Sequence, residues 1–290
     1  MFNVKGTGVA IITPFKSDLS IDFEALKKII THCIDGGVNY LVVLGTTGEG
    51  PTLTKEEKNA VYEFVYNEVN GRIQIVYGLG GNNTAEIVQQ LKDGTLAKYD
   101  AILSVSPYYN KPSQEGIYQH YKAIATHTNK PIILYNVPGR TASNLTAETT
   151  LRLANDFKNI IAIKEASGNL EQMMAILLGN KRADFFVTCG DDGLTLPLIA
   201  LGGCGVISVL GNVYPKVISG LVNAALSGNF EESKTLHYNA LPIIDLLFKE
   251  GNPVGVKAYL NTLGICEEFV RLPLIAASED LKNSIKENLL

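Results

Sequence analysis

Short runs of β-branched and aromatic residues recur roughly every 25 to 30 positions, and a stretch with helical spacing of apolar residues follows each run. This alternation is typical of repeated βα units around a parallel sheet. Eight consecutive units predict an α/β fold, a (β/α)8 TIM barrel. The predicted strands are Val9–Thr13, Tyr40–Leu44, Gln74–Gly78, Ala101–Ser106, Pro131–Val137, Ile160–Glu165, Phe185–Cys189 and Gly205–Leu210.

A doubly wound open sheet is the main alternative to the barrel. Its dinucleotide-binding form needs a Gly-x-Gly-x-x-Gly motif directly after a strand. Residues 78–83 read GLGGNN, which lacks the third glycine. We therefore expect the barrel.

Residues 213–290 show helical patterns and no further strand pattern. Pro215 and Pro253 lie near predicted helix starts, and Gly228, Gly251 and Gly264 lie near predicted helix ends, an asymmetry that is typical of helices. We expect two domains, a catalytic barrel over residues 1–212 and a C-terminal helical appendage over residues 213–290. No linker-like stretch divides them, so we expect the appendage to pack on the barrel.

The charge of the chain is balanced, with 25 Lys and Arg against 29 Asp and Glu and a net charge of −4. No block of like charges favours nucleic acid or an anionic membrane, and we expect neither as a partner. The N-terminus lacks the pattern of a signal peptide, and no apolar run reaches the roughly 18 residues that span a bilayer. We expect a cytoplasmic protein.

Cys33, Cys189, Cys204 and Cys266 are far apart and form no Cys-x-x-Cys pair, so buried reduced thiols are expected. The four histidines show no His-Glu-x-x-His spacing. The sequence therefore predicts no metal site.

Lys164 is the first candidate for chemistry, because active sites of (β/α)8 barrels lie at the carboxyl ends of the strands. In the strand IIAIKEAS, Lys164 shares its face with Ala162 and Ala166. Partial burial of an amine disfavours its charged form and favours attack on a carbonyl, so a Schiff-base lysine is one interpretation. A buried lysine paired with a carboxylate is the other, and this strand alone does not separate them.

Two further candidates follow the fifth strand, PIILYNVPGRT. The phenol of Tyr135 can donate and accept a proton at a forming alkoxide, and the guanidinium of Arg140 can hold a carboxylate with two hydrogen bonds. Taken singly, a core tyrosine and a surface arginine are the plainer interpretations.

The second and fourth strands end in segments suited to ligand binding. In LGTTGEG, glycines allow close approach of the backbone, and Thr46 and Thr47 offer hydroxyls for a small carboxylate. The segment has no Gly-Lys-Ser/Thr ending, so no nucleoside triphosphate is implied. In SPYYNKPSQEG, Tyr108 and Tyr109 are expected to be exposed at the barrel mouth or at a subunit contact.

The combined motifs resemble the dihydrodipicolinate synthase family: GTTGE at 45–49, YYN at 108–110, YNVPGR at 135–140 and KEASGN at 164–169. The resemblance continues through GDD at 190–192, GGCGVISV at 202–209, NPVGVK at 252–257 and RLPL at 271–274. It implies a barrel lyase with a helical C-terminal domain that condenses pyruvate with L-aspartate 4-semialdehyde to 4-hydroxy-tetrahydrodipicolinate. This reaction is the first committed step of diaminopimelate and lysine biosynthesis. The resemblance also implies a homotetramer, a dimer of dimers, that needs no metal or organic cofactor.

The resemblance assigns roles to the candidates. Lys164 is similar to the Schiff-base lysine and Tyr135 to the proton donor and acceptor. A nucleophile, a proton relay and carboxylate binders at four strand ends favour the Schiff-base interpretation of Lys164. The resemblance further implies that Thr46 and Tyr109 complete the proton relay and that Tyr109 reaches across a dimer interface. It implies that Thr47 binds the pyruvate carboxylate and that Arg140 binds the carboxylate of the semialdehyde. Ile207 and Gly190 are implied to make contacts near the lysine.

Regulation by lysine is a separate question. Lysine-inhibited members bind it in a dimer-interface cleft. Lys55 and Lys58 stand where feedback-sensitive bacterial forms carry histidines, and two added ammonium groups would repel a cationic ligand. We therefore expect weak or absent feedback inhibition. The cleft positions in this chain would be Pro51, Lys55, Lys58, Asn82, Glu86 and Tyr108.

Two alternative functions remain. A sister pyruvate-dependent aldolase, which splits N-acetylneuraminate or a 2-keto-3-deoxy sugar acid, would share Lys164 and Tyr135, but Arg140 and the paired tyrosines argue against it. A non-catalytic binding barrel would have lost at least one chemical group, and none of the implied groups is missing from the sequence.

Overall fold

A computed structural model describes residues 2–93 and 98–290. In these residues, eight parallel strands are hydrogen-bonded in the order β1 to β8 and close into a barrel, which confirms the predicted α/β fold. The strands are β1 Gly6–Ala10, β2 Tyr40–Val43, β3 Gln74–Gly78, β4 Ala101–Val105, β5 Ile132–Asn136, β6 Ile160–Glu165, β7 Phe186–Cys189 and β8 Gly205–Ser208.

A helical segment follows most strands, and a run of helices follows β8. The predicted C-terminal helical part is therefore present. The described α-helices are α1 Phe23–Asp35, α2 Lys55–Val69, α3 Thr84–Lys92, α4 Gln114–Ala125, α5 Pro138–Thr141, α6 Ala147–Asp156, α7 Leu170–Gly179, α8 Thr195–Ala200, α9 Pro215–Leu226, α10 Phe230–Phe248, α11 Val254–Thr262 and α12 Glu279–Glu287.

The largest difference between prediction and structure is at β1. The prediction placed this strand at Val9–Thr13, and it lies at Gly6–Ala10. The two glycines of GTGVA disfavour a strand by propensity. Gly8 is nevertheless required, because a Cβ at this position would lie 2.1 Å from the Tyr40 ring, and Gly8 pairs with Tyr40 in the register of β1 and β2.

The chain forms two compact units. One contains Ile75–Ile207 together with the N-terminal residues up to Lys5, and the other contains Gly6–Gln74 and Ser208–Leu290. The division predicted at residue 212 stays a prediction. The two units are called the 75–207 unit and the 6–74/208–290 unit below.

In the 75–207 unit, one row of paired residues crosses four neighbouring strands. Val105 pairs with Tyr135, Tyr135 pairs with Lys164, and Lys164 pairs with Thr188. Because partners in adjacent strands share a face of the sheet, these four side chains lie on the same face. The preceding row, which includes Leu134, Ile163 and Val187, lies on the opposite face and is fully buried.

In the 6–74/208–290 unit, side-chain caps fix the starts of several helices. Asp22 accepts a hydrogen bond from the Ala25 amide at the start of α1, and Thr54 and Glu57 form a reciprocal capping box at the start of α2. Ser278 caps α12, a helix that the sequence analysis did not predict. The sequence EDLKNSIKE is mostly polar, and its only buried residues are Leu281 and Ile285, one pair at helical spacing.

Candidate active site

Lys164 lies one residue before the carboxyl end of β6, and its side chain is buried, with 4% of the residue exposed. Its Nζ lies 4.4 Å from the centroid of the Tyr135 ring, on the adjacent strand. Because Lys164 is buried among strand residues, hydration of its amine is limited, and the Tyr135 ring covers one side of the amine. No carboxylate within the described residues forms an ion pair with Lys164, so the ion-pair interpretation of this lysine lacks a partner there.

Gly190 provides space for the Lys164 side chain. It follows β7, and its amide donates a 2.8 Å hydrogen bond to the Glu165 carbonyl. A Cβ at Gly190 would lie 2.9 Å from Lys164 Cε and 2.6 Å from the Ala166 Cβ. Real side chains rarely approach so closely, so only glycine at this position leaves the lysine stem undisturbed.

Behind Lys164, a buried carboxylate joins the ends of β5 and β6. Glu165 is fully buried and accepts hydrogen bonds from the Ser167 amide at 2.7 Å and from Gln172 Nε2 at 2.9 Å. Asn136 Nδ2 lies 3.1 and 3.2 Å from its two oxygens. A buried carboxylate that accepts several hydrogen bonds is stabilised without a cation.

No role was predicted for Asn136 or Glu165, the amide and the carboxylate of this cluster. Asn136 and Glu165 each follow a candidate catalytic residue by one position, so they face away from the row that contains Tyr135 and Lys164. The sequence contained one sign of this cluster: Asn136 and Glu165 are polar residues in register on the buried face of adjacent strands. Because buried polar groups require partners, such a pair predicts a hydrogen bond.

Tyr109 lies in the segment after β4 and Arg140 in the short helix α5 after β5, both in the 75–207 unit. The Tyr109 amide donates a 3.3 Å hydrogen bond to the Thr141 carbonyl, directly after Arg140 in α5. Arg140 is exposed, and Tyr109 is 87% exposed with a φ of 74°, which L-residues rarely adopt. Tyr108 is also exposed, as the sequence predicted for this pair.

Ile207 is fully buried in β8, next to Val206, which pairs with Cys189 of β7. The structure thus brings Lys164, Tyr135 and Gly190 into one cluster and connects the Tyr109 and Arg140 loops through their backbones. The binding roles predicted for Ile207 and Gly190 stay predictions.

Thr46 and Thr47 belong to the 6–74/208–290 unit and form a short 3₁₀ turn, Thr46–Gly48, after β2. Left-handed residues flank the turn, with φ values of 59° at Leu44 and 51° at Glu49. Thr46 is half-buried, while Thr47 is buried and its hydroxyl accepts a 2.9 Å hydrogen bond from Asn252 Nδ2.

The positions considered for lysine binding are at the surface or close to it. Pro51, Lys55, Asn82 and Glu86 are exposed, and Lys58 is half-buried. Asn82 Nδ2 donates a 3.1 Å hydrogen bond to the Tyr108 carbonyl, so this pair of the predicted set is in contact.

The four cysteines lie in the interior of the protein. Each cysteine is buried with a free thiol, as predicted, and burial raises the pKa of the Cys189 thiol to about 12. The described part of the chain contains no group of three His, Cys, Asp or Glu residues arranged to hold a metal ion.

Within residues 2–93 and 98–290, no helix is both long and apolar enough to cross a membrane.

A buried lysine beside a tyrosine at the carboxyl ends of adjacent barrel strands provides the groups that a Schiff-base-forming barrel enzyme uses. The chain belongs to the dihydrodipicolinate synthetase family, whose model matches residues 3–290. This finding confirms the family that the sequence motifs indicated.

Individual relatives agree with the family assignment. The 4-hydroxy-tetrahydrodipicolinate synthase of Flavobacterium psychrophilum is 54% identical over 280 residues, which cover 97% of this chain and 95% of the relative. The synthase of the same name from Parabacteroides distasonis is 54% identical over 287 residues, covering 99% and 96%. The crystal structure of dihydrodipicolinate synthase from Aquifex aeolicus is similar with a TM-score of 0.93 at 42% identity, covering 98% of this chain and 96% of that chain.

Proposed function

We propose that this protein condenses pyruvate with L-aspartate 4-semialdehyde to 4-hydroxy-tetrahydrodipicolinate, the first committed step of diaminopimelate and lysine biosynthesis. The observation that carries the proposal is the buried Lys164 amine, 4.4 Å from the centroid of the Tyr135 ring. The full-length similarity to synthases of this name supports the choice of substrates.

The reaction begins at the amine. Neutral Lys164 attacks the ketone of pyruvate, and the carbinolamine loses water to give an iminium. The iminium accepts an electron pair when a methyl proton leaves, which gives an enamine. The enamine carbon attacks the aldehyde carbon of the second substrate, and the new alkoxide takes a proton. The amino group of that substrate then attacks the iminium carbon, closes the ring and releases Lys164.

Tyr135 is positioned for the proton transfers of these steps. Its phenol can donate and accept a proton, and its ring already lies against the lysine amine. We propose for Thr46 and Tyr109 the remaining relay roles that the family resemblance implies.

We propose that Thr47 binds the pyruvate carboxylate and that Arg140 binds the carboxylate of the semialdehyde. Arg140 is exposed at a strand-end loop, where a guanidinium can hold a carboxylate with two hydrogen bonds. Gly190 and Ile207 complete the proposed surroundings of the Schiff base.

We propose a cytoplasmic homotetramer in which Tyr109 reaches a neighbouring subunit. The 87% exposure of this aromatic side chain in the single chain supports the proposal, because large aromatic residues are enriched in interfaces. We also propose weak or absent inhibition by lysine. Lys55 and Lys58 add positive charge at the positions considered for this ligand.

The test is a substrate panel at fixed enzyme concentration. We expect turnover of pyruvate with L-aspartate 4-semialdehyde, and no cleavage of N-acetylneuraminate or of 2-keto-3-deoxy sugar acids. Cleavage of a sugar acid without synthase turnover would overturn the proposal in favour of a sister aldolase. Addition of lysine to the synthase assay tests the regulation, and micromolar inhibition would contradict it.

A further inference from the structure

The Thr47 hydroxyl is held from the C-terminal part of the chain. Asn252 Nδ2 donates a hydrogen bond of 2.9 Å to Thr47 Oγ1, and both residues are buried. The two residues are 205 positions apart in sequence and belong to the same compact unit. Asn252 lies in the NPVGVK segment, for which the sequence analysis gave no role.

The direction of this bond determines what the hydroxyl can do. A threonine hydroxyl has one hydrogen to donate and two lone pairs. Because Asn252 donates to one lone pair, the hydrogen of Thr47 must point elsewhere. Within residues 2–93 and 98–290, the Thr47 side chain makes no other hydrogen bond. The hydroxyl is therefore left as a donor, which suits an anionic ligand.

The amide of Asn252 serves this one hydroxyl. Its other polar atom, Oδ1, is buried and has no hydrogen-bond partner in the described part of the chain. Buried side-chain amides that only stabilise a fold are normally paired at both atoms. Asn252 differs, because its Oδ1 has no partner in the described residues while its NH2 group donates to Thr47.

The turn that carries Thr47 is fixed by further contacts from the same unit. Lys257 Nζ lies 2.5 Å from Glu49 Oε1, and both residues are buried. The Arg271 amide donates to Glu49 Oε2 at 3.1 Å, and Thr13 Oγ1 donates to the Gly48 carbonyl at 2.8 Å. These contacts hold the left-handed Glu49, so the turn is preorganised.

We propose that Asn252 is a positioning residue, which orients the Thr47 hydroxyl so that its hydrogen is donated to the carboxylate of the α-keto acid substrate. The inference rests on the proposed function, because it takes Thr47 as the carboxylate binder. Asn252 comes from the C-terminal part of the chain and does not itself take part in making or breaking bonds. Its effect is on binding of pyruvate, and the chemical step at Lys164 is left intact.

Asn252→Asp tests the direction of the hydrogen bond. An aspartate at this position accepts a hydrogen bond, so it takes the Thr47 hydrogen and turns it away from the substrate. We expect the KM for pyruvate to rise about 10- to 100-fold, the scale of a lost hydrogen bond to a charged group, with kcat changed less than about threefold. Asn223→Asp is the matched control, because Asn223 is exposed on α9 and the substitution adds the same charge.

Asn252→Ala and Thr47→Val, alone and together, test whether the two residues act as a unit. We expect Asn252→Ala to raise the KM for pyruvate about 10-fold in the natural chain and less than about twofold in the Thr47→Val background. Equal increases in both backgrounds would overturn the proposal, because Asn252 would then act without the hydroxyl. A melting curve of each variant identifies loss of fold.

Failure of the inference and failure of the proposed function give different results. If the natural chain traps no pyruvate with borohydride, the proposed function fails. If it traps pyruvate and turns over, but Asn252→Asp and Asn252→Ala leave the KM for pyruvate within about twofold, the positioning role fails and the function stands. A fall in kcat at saturating pyruvate without a change in KM would also overturn the positioning role.

Discussion

The Nζ of Lys164 lies 4.4 Å from the centroid of the Tyr135 ring, and the two residues are direct partners in the register of β5 and β6. Adjacent strands of a parallel sheet keep such partners at a nearly constant separation. The proposed nucleophile and the tyrosine beside it are therefore positioned by the barrel itself. Rigid placement of this kind is what proton transfer during Schiff-base formation requires.

Tyr135→Phe removes the phenol oxygen and keeps the ring beside the amine. We expect synthase turnover to fall about 10²- to 10⁴-fold, the usual contribution of a positioned acid and base. Stability should change little, since the ring remains packed. Steady-state kinetics with a melting curve check both expectations. Turnover within threefold of the natural chain would show that another group transfers the protons.

Gly190→Ala places a methyl group against the Lys164 stem. The added Cβ would lie 2.9 Å from Lys164 Cε, so we expect the lysine stem to shift and to displace the amine. A displacement of about 1 Å at a reacting group costs roughly 10²-fold in rate. We expect that loss in the rate of pyruvate adduct formation, measured by intact mass after timed borohydride quenching.

Gly81→Ala is the control for this prediction, because its Cβ would meet neighbours at 3.8 Å or more. We expect its adduct rate to stay within twofold of the natural chain. If Gly190→Ala reacts as fast as Gly81→Ala, the space around Lys164 is not limiting.

Lys257→Met tests the buried ion pair with Glu49. Burial lowers the pKa of Lys257, and the Glu49 carboxylate opposes this effect. Removing one partner leaves a buried charge without its counterion, which typically costs about 3–5 kcal/mol. We expect a loss of that size in the free energy of unfolding, measured in urea. The double variant Glu49→Gln with Lys257→Met should regain part of it.

Lys234→Met is the control for the ion pair. Its partner Glu231 lies at the surface on α10, and exposed pairs contribute at most about 1 kcal/mol. Equal losses for the Lys257 and Lys234 variants would mean that burial does not distinguish the two pairs.

His120 gives the stability of the fold a pH dependence. Its Nδ1 lies 2.8 Å from Thr84 Oγ1, its Nε2 is buried without a partner in the described residues, and burial lowers its pKa to about 4. The folded state therefore favours the neutral ring. This contribution is complete above the ordinary pKa of about 6.5 and is lost as the pH falls from 6.5 towards 4.

At pH 5 the expected loss from His120 is about 2 kcal/mol relative to pH 7, at 1.36 kcal/mol per pKa unit. The measurement is urea unfolding at both pH values for the natural chain and for His120→Gln, which cannot titrate. We expect the variant to lose about 2 kcal/mol less between them. Identical losses would show that His120 titrates normally in the folded chain.

The fold followed from the sequence because buried parallel strands produce continuous apolar runs. β3 and β6 lie at their predicted positions, and most other strands differ by one or two residues. β1 was misplaced since Gly8 is required by its contact with the Tyr40 ring and Gly6 by its contact with Asn39, tertiary constraints that strand propensity does not express. α12 escaped prediction because it buries only two apolar residues.

The placement of the Lys164 side chain was predictable to the same extent. The two-residue period placed Lys164 and Ala166 on one face, and both would contact a Cβ at Gly190. Period and motif could not reveal what Asn252 of the NPVGVK motif contacts, because its hydrogen bond to Thr47 joins segments 205 residues apart. The Glu165 cluster also depends on tertiary contacts, with Gln172 supplied by the following helix.

The central claim is that Lys164 forms the Schiff base with pyruvate. The most direct test is intact-mass spectrometry after borohydride reduction in the presence of pyruvate, for the natural chain and for Lys164→Ala, followed by peptide mapping of the adduct. We expect one reduced pyruvate adduct per chain, located on Lys164 and lost in the variant. An unmodified natural chain, or an adduct that persists in Lys164→Ala, would contradict it.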